Sequence, residues 1–250
     1  MIRIVDLGSP QGTLRREHWE EMARDGIRGA YLRCGNGNNG VDPTFRANLL
    51  GARAVGIAVG VYHVGFPLPA SKLHPGRAPE EQAKMHFAAS LGVGSKPGTM
   101  PPALDFEWPS PVEWAKWSVT PASAIAWATV YLAQMRQDVG RDAALYLYED
   151  FGLHLAGGPF PTPAENVDAL QRVLAPFASS PFWLALYQGA APGAFGPWTA
   201  PTIWQKSGGG GKLPNGAPVD EDLFLGNEDA WQVFLGNAPG PTSADDAAAA

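Results

Sequence analysis

What most constrains this chain is a repeated alternation of strand-like and helix-like segments, because that pattern restricts the architecture to a mostly parallel sheet flanked by helices. Residues 2–7 (IRIVDL) are β-rich and stop at Gly8-Ser9-Pro10; Leu14, His18, Trp19, Met22 and Ala23 then recur at helical spacing until Gly26. Residues 27–34 (IRGAYLRC) read as a second strand. Asp42-Pro43 opens a helix carrying Phe45, Leu49 and Leu50 that Gly56 ends, and residues 57–64 (IAVGVYHV) give a third strand. Pro79 opens the next helix, residues 101–107 (PPALDFE) read as the fourth strand, Thr120-Pro121 opens the longest helix, and residues 143–149 (AALYLYE) form the fifth strand. Beyond Glu149 only residues 164–175 read as helix. Residues 182–187 (FWLALY), 202–207 (TIWQKS) and 218–224 (PVDEDLF) supply three more strands joined by loops. Eight strands in this order predict an α/β fold, a parallel barrel of the TIM-barrel type with a helix-poor second half.

A chain of 250 residues, 45% of them apolar, fits one such barrel. The expected organisation is a single catalytic domain over residues 1–237, with residues 238–250, rich in Ala and Asp, as a disordered tail. The net charge of −6 argues against an electrostatic hold on nucleic acid or anionic lipid. The lone Cys34 excludes an internal disulfide and any multi-cysteine zinc site, and the five histidines show no ligand spacing, so neither metal nor cofactor is expected. No apolar run reaches the roughly 18 residues that span a bilayer, and the opening residues carry no leader pattern. A monomer without membrane insertion is expected.

In a parallel barrel, functional side chains project from the C-terminal ends of the strands. Asp6 lies at the end of the first strand, Tyr62 and His63 near the end of the third, Asp105 and Glu107 at the end of the fourth, and Asp220 on the last. Asp105 and Glu107 are two residues apart, so on an extended strand they share a face, with Leu104 and Phe106 on the other. Clustering carboxylates in a low dielectric raises the proton affinity of at least one, placing a neutral acid beside ionised neighbours. Glycoside hydrolysis uses that division of labour. A lone strand-end Asp more often caps a helix or pairs with arginine at the surface; the apolar flanks of Asp105 and Glu107 set that pair apart.

The first strand ending in Asp6 followed by Gln11-Gly12, then GIAVGVYHV, LDFE, FWLALY and IWQKSGGGGKLPNGAPVDEDLF, in that order, resembles the lysozymes of glycoside hydrolase family 25 over residues 2–226. The resemblance implies an irregular, flattened β/α barrel and cleavage of the β-1,4 bond between N-acetylmuramic acid and N-acetylglucosamine in bacterial peptidoglycan. It implies Glu107 as general acid, Asp105 as the carboxylate assisting the substrate N-acetyl group in a retaining reaction, and Asp6 and Asp220 as the remaining acids of the cleft. Tyr62, His63, Tyr187, Gln11 and Trp204 are the substrate-binding candidates. Two departures stand out: Gly8 replaces a small hydroxyl-bearing residue, and Arg33-Cys34-Gly35-Asn36-Gly37 stands where the family usually has Ala-Thr-Glu-Gly. A wall-degrading enzyme made in the cytoplasm without a leader needs another exit, and holin-mediated release from a phage-infected cell supplies one. A glycan-binding protein without catalysis and a chitin-type glycosidase are compatible with the same residues.

Other chemical signals are weaker. Gly208 to Lys212 lacks the Gly and Ser/Thr positions of a phosphate loop and reads as a flexible loop before the last strand. Cys34 with His63 contains the groups of a thiol–imidazole pair, but a free cysteine is more often a small buried apolar residue.

Overall fold

The computed structural model describes residues 1–71, 74, 77–187 and 189–237. The tail expected over residues 238–250 lies outside them. Eight strands close into one barrel: β1 (Ile2–Leu7), β2 (Ile27–Asn36), β3 (Ala58–Val64), β4 (Ala103–Asp105), β5 (Ala144–Tyr148), β6 (Phe182–Ala185), β7 (Ile203–Lys212) and β8 (Pro218–Phe224). Strands β1 to β7 pair in parallel. β8 runs antiparallel to both of its neighbours, β7 and β1.

The antiparallel β8 corrects the expectation of an all-parallel sheet, and its cause is the length of the connection. A parallel crossover needs a dozen or more residues. Gly208 to Lys212, expected as a flexible loop, instead extends β7, so only residues 213–217 are left to turn the chain.

Helices α1 (Arg16–Arg24), α2 (Phe45–Ala54), α3 (Pro79–Ala89), α4 (Trp114–Trp117), α5 (Pro121–Val139), α6 (Glu149–Leu155) and α7 (Pro163–Leu174) fall between strands β1 and β6, and α8 (Glu228–Phe234) follows β8. The long α5 has the ends its sequence dictates. The Thr120 hydroxyl accepts from the Ser123 amide, Pro121 occupies the first turn, and Gly140 leaves the helix at φ 86°. Among the described residues no helix lies between β6 and β7, in keeping with the expected poverty of the second half, but α6 and α8 arise where the sequence reading placed none. α8 is capped by Asn227, whose side chain accepts from the Ala230 amide, and buries Trp231 and Phe234.

Strand alternation sorts the core into three packed regions. Val5, Leu7, Leu32 and Val61 face outward onto Trp19, Met22 and Leu49 of α1 and α2, while Leu104, Phe106, Leu145 and Leu184 face α3, α5, α6 and α7. Inward-facing Ile4, Tyr31, Ala103, Ala144, Trp183, Ile203 and Phe224 fill the barrel, with Trp231 and Phe234 of α8 packed beneath them. Tyr31 and Trp183 stack with ring centroids 4.7 Å apart. That apolar plug is the floor on which the polar mouth sits.

Candidate active site

Above the plug, the inward positions turn polar and enclose a cavity of ≈ 290 Å³ lined by Asp6, Arg33, Asn36, Tyr62, Val64, Asp105, Glu107, Tyr146, Trp183, Gln205 and Asp220. Asp6, Asp105, Glu107 and Asp220, on three separate strand ends, thus meet in one place. β4 itself stops at Asp105, yet alternation continues one step further, since Leu104 and Phe106 are in the outer core while Asp105 and Glu107 both line the cavity. A second hollow of ≈ 320 Å³ shares Glu107 and Tyr146 with the first and continues along Tyr148, Glu149, Asp150 and Tyr187. Together they form one groove.

Gln205 organises the acids. Its Oε1 accepts from the hydroxyls of Tyr146 (3.1 Å) and Tyr187 (2.9 Å), which leaves its amide nitrogen to donate to Asp6 Oδ2 (3.0 Å) and towards Asp220 Oδ2 (3.4 Å). Asp220 also accepts from the Gly209 amide on the extended β7. Asp105 is buried, and its Oδ1 has no hydrogen-bond partner among the described residues.

The electrostatics follow from burial and from like charge. Burial, reinforced by Asp220, pushes the Asp6 carboxyl up to about 7, against hydrogen bonds from Gln205 and Asp222 that pull it down. Burial and the neighbouring Glu107 and Asp6 hold Asp105 well above the carboxylate range, with Arg33 opposing. Glu107 is raised by burial and by Asp220, with the neighbouring Tyr146 hydroxyl acting in the opposite direction. Asp220 is raised by burial, and its Gly209 hydrogen bond acts in the opposite direction. The cavity therefore holds protons at pH values where an exposed carboxyl is ionised.

Strand β2 contributes Arg33 and Asn36. The Arg33 guanidinium donates to Asp42 Oδ2 (2.9 Å) and to Ser9 Oγ, and a Cβ on Gly8 would sit 3.0 Å from its Cζ and Nε. The two departures noted in the sequence are therefore adjacent in space. Gly8 leaves the room that the arginine side chain occupies.

The substrate-binding candidates divide. Tyr62 lines the cavity, edge-on to Trp183, and Tyr187 stands at the groove, 60% exposed. His63, Trp204 and Gln11 are outside. His63 faces the opposite way from Tyr62, is 1% exposed, and stacks on His86 at 5.5 Å beneath α3. Trp204 faces outward on β7 and donates its indole N–H to the Leu186 carbonyl (2.7 Å). The Gln11 carboxamide closes its own turn, accepting from the Gly8 amide (2.9 Å) and reaching the Pro218 carbonyl (3.3 Å). Cys34 is buried and its thiol is pushed up by burial, the reverse of an activated nucleophile. Gln205 and Asp222 were missed in sequence. Among the described residues no cluster of His, Cys, Asp and Glu has the arrangement of a metal site.

A barrel whose mouth gathers buried carboxyls beside aromatic side chains is the architecture of a glycoside-cleaving enzyme. The family model for glycosyl hydrolases family 25 matches residues 5–160, and the chain belongs to that family and is a glycoside hydrolase. It is similar to Lysozyme M1 of Streptomyces globisporus, with 26% identity over 227 residues, covering 90% of this chain and 68% of that protein. Among solved structures, its fold is shared by a bacterial lysozyme from Streptomyces coelicolor (TM-score 0.75, 23% identity, 94% of this chain and 96% of that one). It is shared as well by a muramidase from Trichobolus zukalii (TM-score 0.72, 20% identity, 94% and 99%).

Proposed function

We propose that this glycoside hydrolase is an N-acetylmuramidase, cleaving the β-1,4 bond between N-acetylmuramic acid and N-acetylglucosamine in bacterial peptidoglycan with retention of configuration. The observation that carries the reading is Glu107, raised by burial and by Asp220 at the junction of two hollows that form one groove. The names borne by its relatives, lysozyme and muramidase, support the substrate class.

In this reading the Glu107 O–H donates its proton to the glycosidic oxygen as the bond to the anomeric carbon breaks. The carbonyl oxygen of the substrate's own N-acetyl group closes on that carbon from the opposite face, so no protein nucleophile is required. In its ionised form Asp105 accepts from the acetamido N–H and balances the positive charge that develops on the ring so formed, and the proton affinity that burial, Glu107 and Asp6 give it strengthens that hydrogen bond. Ionised Glu107 then takes a proton from the water that opens the ring, which restores the acid and gives net retention. Asp6 and Asp220 hold the cavity's charge and, through Gln205, its shape. Tyr62 and Tyr187 offer faces to the sugar rings. Residues 1–237 are read as one catalytic unit acting as a monomer on the wall.

Reducing-end analysis of digested peptidoglycan tests this directly. New reducing ends carried by muramic acid are expected; ends carried by N-acetylglucosamine, or no new ends, would overturn it.

A further inference from the structure

One buried carboxyl plays no part in the chemistry above. Asp222 is 1% exposed and points into the barrel one layer below Asp220, in register with Gln205 on β7 and Ile4 on β1. Its Oδ1 accepts from the Trp183 indole N–H at 2.8 Å. Its Oδ2 is sealed from solvent and receives no donor from any described residue. Asp6 is the inward-facing residue one layer up on the adjoining β1, in register with Asp220, and its carboxyl acts on Asp222 through charge and hydrogen bonding. The other titratable groups around it are Asp220 on the same strand, Tyr31 on β2 and Tyr187 after β6. Among the described residues, no Lys, Arg or His forms an ion pair with it.

An ionised carboxylate in that position would leave one oxygen with neither donor nor cation beside a second carboxylate, which is among the most costly arrangements in a protein interior. A neutral carboxylic acid removes the conflict, because Oδ2 then becomes a donor. The geometry points to Asp222 as a permanently neutral acid that donates its proton to Asp6, so that whenever Asp6 is ionised the two side chains together carry one proton and one negative charge. Asp6 is then held from two directions, by the Asp222 O–H and by the Gln205 amide. Burial together with Asp6 keeps Asp222 well above the carboxylate range, consistent with that assignment.

Asp222 is thereby a positioning residue. It lies beneath the cavity and acts through two residues that line it, Asp6 and Trp183, whose indole is fixed by its other oxygen. Its effect on rate rests on the mechanism proposed above; its protonation state does not, and the two are tested separately.

Infrared spectroscopy at about pH 8, where exposed carboxyls are ionised, reads the protonation state without any substrate. The wild-type protein is expected to show the carbonyl band of a protonated carboxylic acid that the Asp222→Asn variant lacks, so that it stands out in the wild-type-minus-variant difference spectrum. A wild type without such a band, or a band unchanged in that variant, would overturn the assignment. Asp222→Asn keeps an acceptor for Trp183 and an N–H donor for Asp6 at unchanged charge. Its lytic activity should stay within a few-fold of wild type, with both limbs of the pH–rate profile unmoved. Were Asp222 ionised, the same substitution would remove a negative charge and draw the limbs towards acid by about one unit. Asp222→Leu, which supplies neither donor nor acceptor, should lose most of the activity that Asp222→Asn retains, and equal activities in the two variants would remove the positioning role.

Discussion

Glu107 and Asp6 share one cavity, yet replacing them should have different consequences. Glu107→Gln keeps the shape and removes the transferable proton, so peptidoglycan lysis should fall by about 10²-fold or more with the thermal transition essentially unchanged. Lysis near the wild-type rate would reassign the acid. On the mechanism proposed above, the alkaline limb of the wild-type profile should follow Glu107, whose raised proton affinity would extend activity upward in pH before deprotonation ends it. Asp6 reads out in stability. Its carboxyl rises from 3.8 to about 7 on folding, so its neutral form suits the fold, and the associated stability is complete below 3.8 and lost as pH climbs through about 7. Asp6→Asn should therefore melt higher than wild type above pH 7 and alike in strong acid, while losing activity; a variant no more stable in alkali would contradict the burial argument. The Asp105 and Glu107 pair was legible in the sequence because apolar Leu104 and Phe106 fix which face is which. Gln205 was not legible. β7 carries Ile203 inward and Trp204 outward, both buried, so apolar pattern alone assigns neither face to the barrel interior.

At the level of elements, strand β3 depends on a residue it lacks. A Cβ on Gly60 would lie 2.4 Å from Cε1 of Tyr31, the ring that stacks on Trp183. Gly60→Ala should overpack the barrel, costing about 1–3 kcal/mol, and should lower activity as well, since the displaced ring supports the cavity floor. Denaturant titration with a lytic assay measures both; an unaltered midpoint would mean that Tyr31 has room to move. The same scale shows what sequence reading can and cannot recover. Strands β1, β2, β3 and β5 announced themselves through β-rich runs ended by turns or caps. The direction of β8 was recoverable from length alone, because even ten residues between 207 and 218 are too few for a parallel crossover. α8 left a signal too, in Asn227 before Glu228 and Asp229 and in the Trp231, Phe234, Leu235 spacing, but at seven residues it lacks the length that makes periodicity persuasive.

For the whole molecule, the two polar layers respond to pH in opposite senses. His63 and His86 lie stacked outside the barrel under α3; among the described residues neither His63 ring nitrogen nor His86 Nε2 has a hydrogen-bond partner, and His86 Nδ1 lies against the Tyr131 hydroxyl at 2.7 Å. Burial lowers His63 from 6.5 to about 4, so the stability it contributes is complete above 6.5 and lost as pH falls towards 4. The buried acids act the other way. Below about pH 6.5 His63 therefore offsets part of what the acids gain, and His63→Gln should melt progressively higher relative to wild type as pH falls towards 4; a difference that does not change with pH would remove the imidazole from the account. Fold class and the main acids were legible from one sequence because a barrel's strand ends converge by geometry. The buried histidine pair was not, since nothing in a strand of alternating residues says which of Tyr62 and His63 looks inward. The reversed last strand also settles on which side the barrel opens and closes. Ile2 pairs with Phe224 and α8 seals the barrel beneath them, so the first strand begins and the last ends on the side remote from the groove. A carrier, bead or second protein joined at Met1 would hang below the barrel, leaving the open mouth clear on that account for a polymer as bulky as a wall fragment.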